Sequence, residues 1–125
     1  MIEKYIADVP ASVWEEGRPA RLPNWESSFN VAAWVRISGA AGKIALLVIH
    51  QDDAGEHRTL VDGANISSDG SSLLSSQIRL RFIGKVKAVK AVLQLENPAM
   101  RHQVEELYMQ WQESRQQQRK LIASY

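Results

Sequence analysis

Three histidines, His50, His57 and His102, and two adjacent carboxylate pairs, Glu15–Glu16 and Glu105–Glu106, are the residues whose types could carry chemistry. Three imidazoles can hold zinc, but a zinc site wants ligands at regular short spacing, often with thiolate help. The three histidines lack that spacing and the chain has no cysteine, so each reads as a strand-end or turn residue. Asp52, Asp53, Asp62 and Asp69 could offer calcium their oxygens. Their spacing fits no calcium loop, and "DDAG" and "DGAN" are good turn sequences without a metal.

Nucleophilic catalysis finds no better footing. Serine attacks only when a base, itself oriented by a third group, takes its proton. The run "SSDGSSLLSS" contains no Gly-x-Ser-x-Gly elbow and reads as loop composition. Two carboxylates can share the acid and base roles of glycoside hydrolysis. In a regular strand, however, Glu105 and Glu106 point to opposite faces and cannot flank one bond. No enzymatic activity and no cofactor are expected.

What remains is surface suited to binding. In "FNVAAWVRISG", Phe29, Val31, Ala33, Val35 and Ile37 fall on one face of a strand, and Asn30, Ala32, Trp34 and Arg36 on the other. Slipping the register by one residue would bury Arg36 without a partner, at a cost of several kcal/mol. The alternation therefore turns Trp34 outward. Gln77, Arg79 and Arg81 project together from "SQIRLRFIG", and Gln94 from "VKAVKAVLQLE". An exposed indole can stack on the flat C–H face of a sugar while Arg and Gln supply directed hydrogen bonds. Three surroundings for Trp34 stay open at this level: cover by an N-terminal wrap carrying Trp14 and Trp25, a ligand, or a subunit interface.

Stepping from these residues to the elements that hold them, 125 residues fit one domain, taken as 1–112, with a tail at 113–125. Residues 1–28, punctuated by Pro10, Pro19 and Pro23, are expected to be irregular and to wrap the domain. "KIALLVIHQ", apolar on both faces, is expected as a central strand covered on both sides. "HRTLV" is a short strand and "DGANISSDGSS" a loop-rich connection. "QVEELYMQW" is a last strand with Leu107, Met109 and Trp111 on one face, followed from Glu113 by a polar tail, helical or frayed. About six strands joined by turns, with no helical period between them, predict an all-β antiparallel sandwich or barrel.

The order of "FNVAAWVRISG", "KIALLVIHQDDAGE", "SSLLSSQIRLRFIGKVKAVKAVLQLENP" and "VEELYMQ" resembles the jelly-roll carbohydrate-binding modules of the galactose-binding-like superfamily, over roughly residues 29–111. The resemblance implies a jelly-roll sandwich and a non-catalytic module whose ligand stacks on Trp34 beside Arg36, Gln77, Arg79, Arg81 and Gln94. It also implies a structural calcium in an opening glycine-containing loop, of which the first 26 residues show little. The same architecture serves in protein-interaction and oligomerisation modules, which is the alternative reading.

Charge and termini narrow the partners. Fifteen basic against fourteen acidic residues give a net charge of +1. Lys85, Lys87 and Lys90 with Arg79 and Arg81 form the one basic concentration, with too few interleaved aromatics for nucleic acid. The N-terminus "MIEKYIADVP" has no signal-peptide core, and "IALLVI" is far too short to span a membrane. A cytoplasmic protein, or one released by a non-standard route, is expected, binding a carbohydrate-like ligand or a protein partner, with homo-oligomerisation left open.

Overall fold

The computed structural model describes residues 1–19, 22–67 and 69–113 as seven strands and one helical turn. These are β1 (Ile2–Asp8), α1 (Ala11–Trp14), β2 (Asn24–Ser38), β3 (Gly42–Asp52), β4 (Gly55–Ile66), β5 (Gly70–Ile83), β6 (Ala88–Leu95) and β7 (Arg101–Gln112). All pairings are antiparallel. One sheet has the order β1-β6-β3-β4 and the other β5-β2-β7, so the expected all-β sandwich is what forms. Every connection except the β3–β4 hairpin crosses between the sheets. No helix among the described residues is long and apolar enough to cross a membrane.

The core is built by alternation. Phe29, Val31, Ala33, Val35 and Ile37 of β2 are all buried, while Asn30, Trp34 and Arg36 are exposed. Facing them from the other sheet are Ile44, Leu46 and Val48 of β3 and Val89, Leu93 and Leu95 of β6. Burying each such side chain is worth about 1.5–3 kcal/mol, so the register of β2 is strongly specified. At one end, Trp14, Trp25 and Phe82 pack together, with Trp25 and Phe82 centroids 4.8 Å apart and Trp14 and Phe82 5.8 Å apart. Arg18 lies over the Trp25 ring at 4.6 Å, in cation–π range. The N-terminal segment thus supplies Trp14 to the interior rather than a cover for Trp34.

Two segments differ from the sequence expectation. The opening is not irregular throughout, because Ile2–Asp8 pairs with β6 as an edge strand. An edge strand needs only one apolar face, and "IEKYIAD" hides its few apolar residues among charges. The "DGANISSDGSS" stretch is not mainly loop either: β4 runs to Ile66 and β5 starts at Gly70. β4 bulges at Val61, just before Asp62–Gly63, where Leu46 pairs with Asp62 and Leu47 with Leu60. The Asp62 carboxylate accepts from the Gly63 amide at 2.8 Å and, across to the other sheet, from the Ser75 amide at 3.0 Å. Ser76 Oγ–H donates to the Val61 carbonyl. These bonds tie β4 to β5, and within β5 Ser71 and Ser75 are exposed on the outward face while Ser72 and Ser76 lie half-buried on the inward one. The expected tail, 113–125, lies beyond Glu113 outside the described residues.

β1 and β7 are the remaining edges, and Val104, Leu107, Met109 and Trp111 of β7 face inward only half-buried. The segment after α1 leans on this edge, close enough that a methyl at Gly17 would overlap the Trp111 indole.

Candidate functional site: the outward face of the three-stranded sheet

β2 sits between β5 and β7, so its outward side chains form the middle column of an open sheet face. Trp34 is 41% exposed there, and Leu73 and Tyr108, at 45% and 58%, are its exposed apolar neighbours. Leu73 pairs with Trp34 from β5, and Tyr108 pairs with Ala32, one outward position along, from β7. Because the pleat sends alternate side chains to the same face, these residues share one apolar surface.

The β7 side of that surface departs from regular alternation. Trp34 pairs with Glu106 and Val35 with Val104, leaving Glu105 as the extra residue of a bulge. Consecutive glutamates therefore come to one side: Trp34, Ser71, Glu105 and Glu106 line a single open depression of about 600 Å³. This corrects the expectation that Glu105 and Glu106 diverge. Glu105 lies 3.8 Å from the Arg36 guanidinium and accepts a long hydrogen bond, 3.5 Å, from Ser71 Oγ–H. Among the described residues Glu106 has no ion-pair partner.

The residues expected around Trp34 separate into three places. Arg36 is its neighbour on the same face. Gln77, Arg79 and Arg81 share the face but pair with Asn30, Ser28 and Glu26. At about 3.4 Å per residue they stand roughly 13, 20 and 27 Å along the strand from Trp34. Arg79 also faces Glu26, 3.9 Å away, as an ion pair. Gln94 lies on β6 in the other sheet, where its Nε2–H donates to Glu3 at 3.3 Å, so it cannot join this surface. Ser71, Leu73, Glu105, Glu106 and Tyr108 take the places assigned to the distant arginines and glutamines. One signal for the bulge is present in the sequence: Val104 and Leu107 both face inward, three apart, which a regular strand does not allow.

A second cluster lies at the β3–β4 hairpin, where His50 and His57 pair across the strands. His102 is elsewhere, on β7 opposite Ile37. The buried Asp52 carboxylate accepts from the Ala54 amide at 2.8 Å, the Ile83 amide at 3.0 Å and His57 Nε2–H at 3.0 Å. Buried His50 sits 3.0 Å from the Arg81 carbonyl through Nε2. A carbonyl only accepts, so Nε2 carries the proton and Nδ1 is left with a buried lone pair that has no partner. Burial pushes the His50 pKa down, only partly offset by the Arg81 carbonyl, and His57 lowers it further. For Asp52, burial acts upward but is outweighed by hydrogen bonds from the Ile83 amide, His57 and the Ala54 amide, leaving its pKa below the ordinary carboxyl value.

The ligand atoms of His50, Asp52 and His57 lie within 4.8 Å of one another. A metal must sit in the plane of each imidazole that binds it. These two rings are stacked, centroids 4.6 Å apart and planes 17° from parallel, so no nearby point lies in both planes. The arrangement instead ties the hairpin to the end of β5 through the Arg81 carbonyl and the Ile83 amide. The other aspartates likewise hold backbone: Asp53 accepts from the Lys85 amide and Asp69 from the Gly39 amide.

In comparisons with known proteins, no family model matches the chain, nor does any curated protein or solved structure.

Proposed function

We propose that the protein is a non-catalytic binding module that takes a carbohydrate-like ligand on the outward face of β5-β2-β7. The observation that carries this reading is the exposed Trp34 indole, sharing one depression with Ser71, Glu105 and Glu106 and standing beside Arg36. An indole offers a flat apolar floor for a pyranose face, and the hydroxyl and carboxylates around it match a rim of sugar hydroxyls. The resemblance to jelly-roll carbohydrate-binding modules of the galactose-binding-like superfamily supports the same reading. Glu105, engaged with Arg36 and Ser71, is better placed to accept hydrogen bonds than to deliver a proton.

The test is a titration with oligosaccharides of different composition, followed by tryptophan emission. Trp14 and Trp25 are buried and Trp111 is half-buried against the core, so a shift that disappears in W34A reports this face. If no oligosaccharide alters the emission of a folded wild-type chain, the reading fails.

A second reading, a protein-interaction module, draws on Leu73 and Tyr108. With Trp34 they make a flat apolar surface ringed by charge, the usual composition of a contact centre. Sedimentation of wild type against L73E separates the two: a self-association or partner complex lost in L73E supports docking, and a concentration-independent monomer without a partner removes it.

A further inference from the structure

We infer that the saccharide taken by this face carries a protonated amine, held against Trp34 by Glu106; this rests on the carbohydrate reading above. The starting point is register. Trp34 and Glu106 are directly opposed across β2 and β7, which places their Cβ atoms about 4.5–5.5 Å apart. The carboxylate therefore stands at the margin of the indole face instead of at a distant rim.

Charge supplies the second step. Arg36 offsets Glu105 at 3.8 Å, and Ser71 adds a hydrogen bond to the same carboxylate. Glu106 lines the depression with no cation beside it among the described residues. Among the described residues, the bulge that brings both glutamates to one side thus leaves one negative charge uncompensated next to an exposed aromatic face.

A neutral sugar could stack on Trp34 and give Glu106 a hydroxyl. An ammonium gains twice: it is attracted to the face of the indole and donates a charge-assisted hydrogen bond to the carboxylate. A sugar acid meets the opposite field, and Arg36, the one cation beside the depression among the described residues, is already engaged by Glu105. The acetylated form of an amino sugar keeps the ring face but loses the charge. The site therefore discriminates between amine and acetamide by electrostatics rather than by shape.

The experiment titrates the full chain with a glucosamine oligomer, its N-acetylated counterpart and a neutral gluco-oligosaccharide of equal length. It reads tryptophan emission at a pH where the sugar amine is protonated. The expected result is tighter binding of the amine oligomer by about tenfold or more, the worth of one hydrogen bond to a charged group. That preference should weaken with added salt, because the site is open to solvent. E106Q, an exposed isosteric change, should remove most of it while the circular dichroism spectrum persists. Equal binding of the acetylated or neutral oligomer, or an undiminished preference in E106Q, overturns the amine while leaving the carbohydrate reading in place. Failure of every oligosaccharide to bind wild type overturns both, as does binding of a lysine-bearing peptide in their stead.

Discussion

Arg58 on β4 and Glu3 on β1 form an ion pair across the full width of the four-stranded sheet. Three strand spacings, about 14 Å, separate their strands. Between them, on the outward face, Tyr5, Val92, Leu47 and Leu60 form one row of register partners, with Ile49 beside it. Val92, Leu47 and Ile49 are buried although no third layer covers this sheet among the described elements. On this face Glu3 accepts hydrogen bonds from both Arg58 and Gln94, and the stem of a long charged side chain can cover apolar surface while its head stays in water. Side chains from both edge strands thus reach toward one another over the outward apolar face of β3, as a roof. The hydrogen bond to Arg58 lowers the Glu3 pKa, and the reciprocal bond raises that of Arg58.

The roof predicts an asymmetry between two substitutions at the same ion-pair network. Arg58→Ala removes charge and cover together, whereas Glu56→Ala removes only the looser 3.8 Å partner of Arg58. The thermal midpoint should fall further in R58A, and an apolar fluorescent dye should bind R58A more than wild type. A surface ion pair alone contributes little, so equal midpoints and equal dye binding would show that the stem covers nothing.

Tryptophan substitutions should sort by face. W34A removes an exposed side chain and should change the unfolding free energy by no more than about 0.5 kcal/mol. W25A empties a position packed on Phe82 and Trp14 and should cost about 3–5 kcal/mol. Urea unfolding followed by circular dichroism measures both, and a large loss in W34A would mean that the indole supports the fold.

The turn after β5 depends on a glycine. Gly84 has φ +65°, and a methyl there would collide with the Asp53 carboxylate, which accepts from the Lys85 amide. The left-handed backbone alone costs a side chain about 1–2 kcal/mol, and the collision adds to it. G84A should destabilise by at least that much. D53A should recover part of the loss in the double variant, because the two residues share the contact. Strict additivity would place the whole cost in the backbone.

How much of this was legible in the chain divides by physical cause. The alternation of Phe29, Val31, Ala33, Val35 and Ile37 specified β2 and the outward turn of Trp34, because a slipped register would bury Arg36. β1 and the β4–β5 stretch were not legible. Their outward positions are mostly polar, the turn-like Asp62–Gly63 follow a bulge at Val61 as paired strand residues, and what makes them strands is pairing with β6, β3 and β2, which no local pattern announces. Alternation gives a face but not a sheet, so it cannot separate Gln94 on β6 from Trp34 on β2. Glu105 and Glu106 were set aside by a sound rule that a single bulge suspends; the odd step from Val104 to Leu107 was its trace.

Acid should act first through His50. Its folded pKa lies below the ordinary imidazole value because of burial, so the unfolded chain binds the proton more readily. Stability is then fully present above the unfolded value of about 6.5 and declines as pH falls below it. Asp52 adds a second loss at lower pH. Its folded pKa is depressed by the Ile83, His57 and Ala54 hydrogen bonds against the upward pull of burial, so its contribution fades as pH drops below about 3.9. Protonating His50 would also put a second N–H on Nδ1, which is buried with no acceptor. Wild-type stability should therefore begin to fall near pH 6.5, well before carboxylates titrate. H50Q keeps a side-chain amide able to donate toward the Arg81 carbonyl but cannot titrate, so it should flatten the profile between pH 7 and 5. Chemical denaturation across this range decides it: a wild-type curve that is level down to pH 5, or one that H50Q leaves unchanged, would remove the histidine from the account.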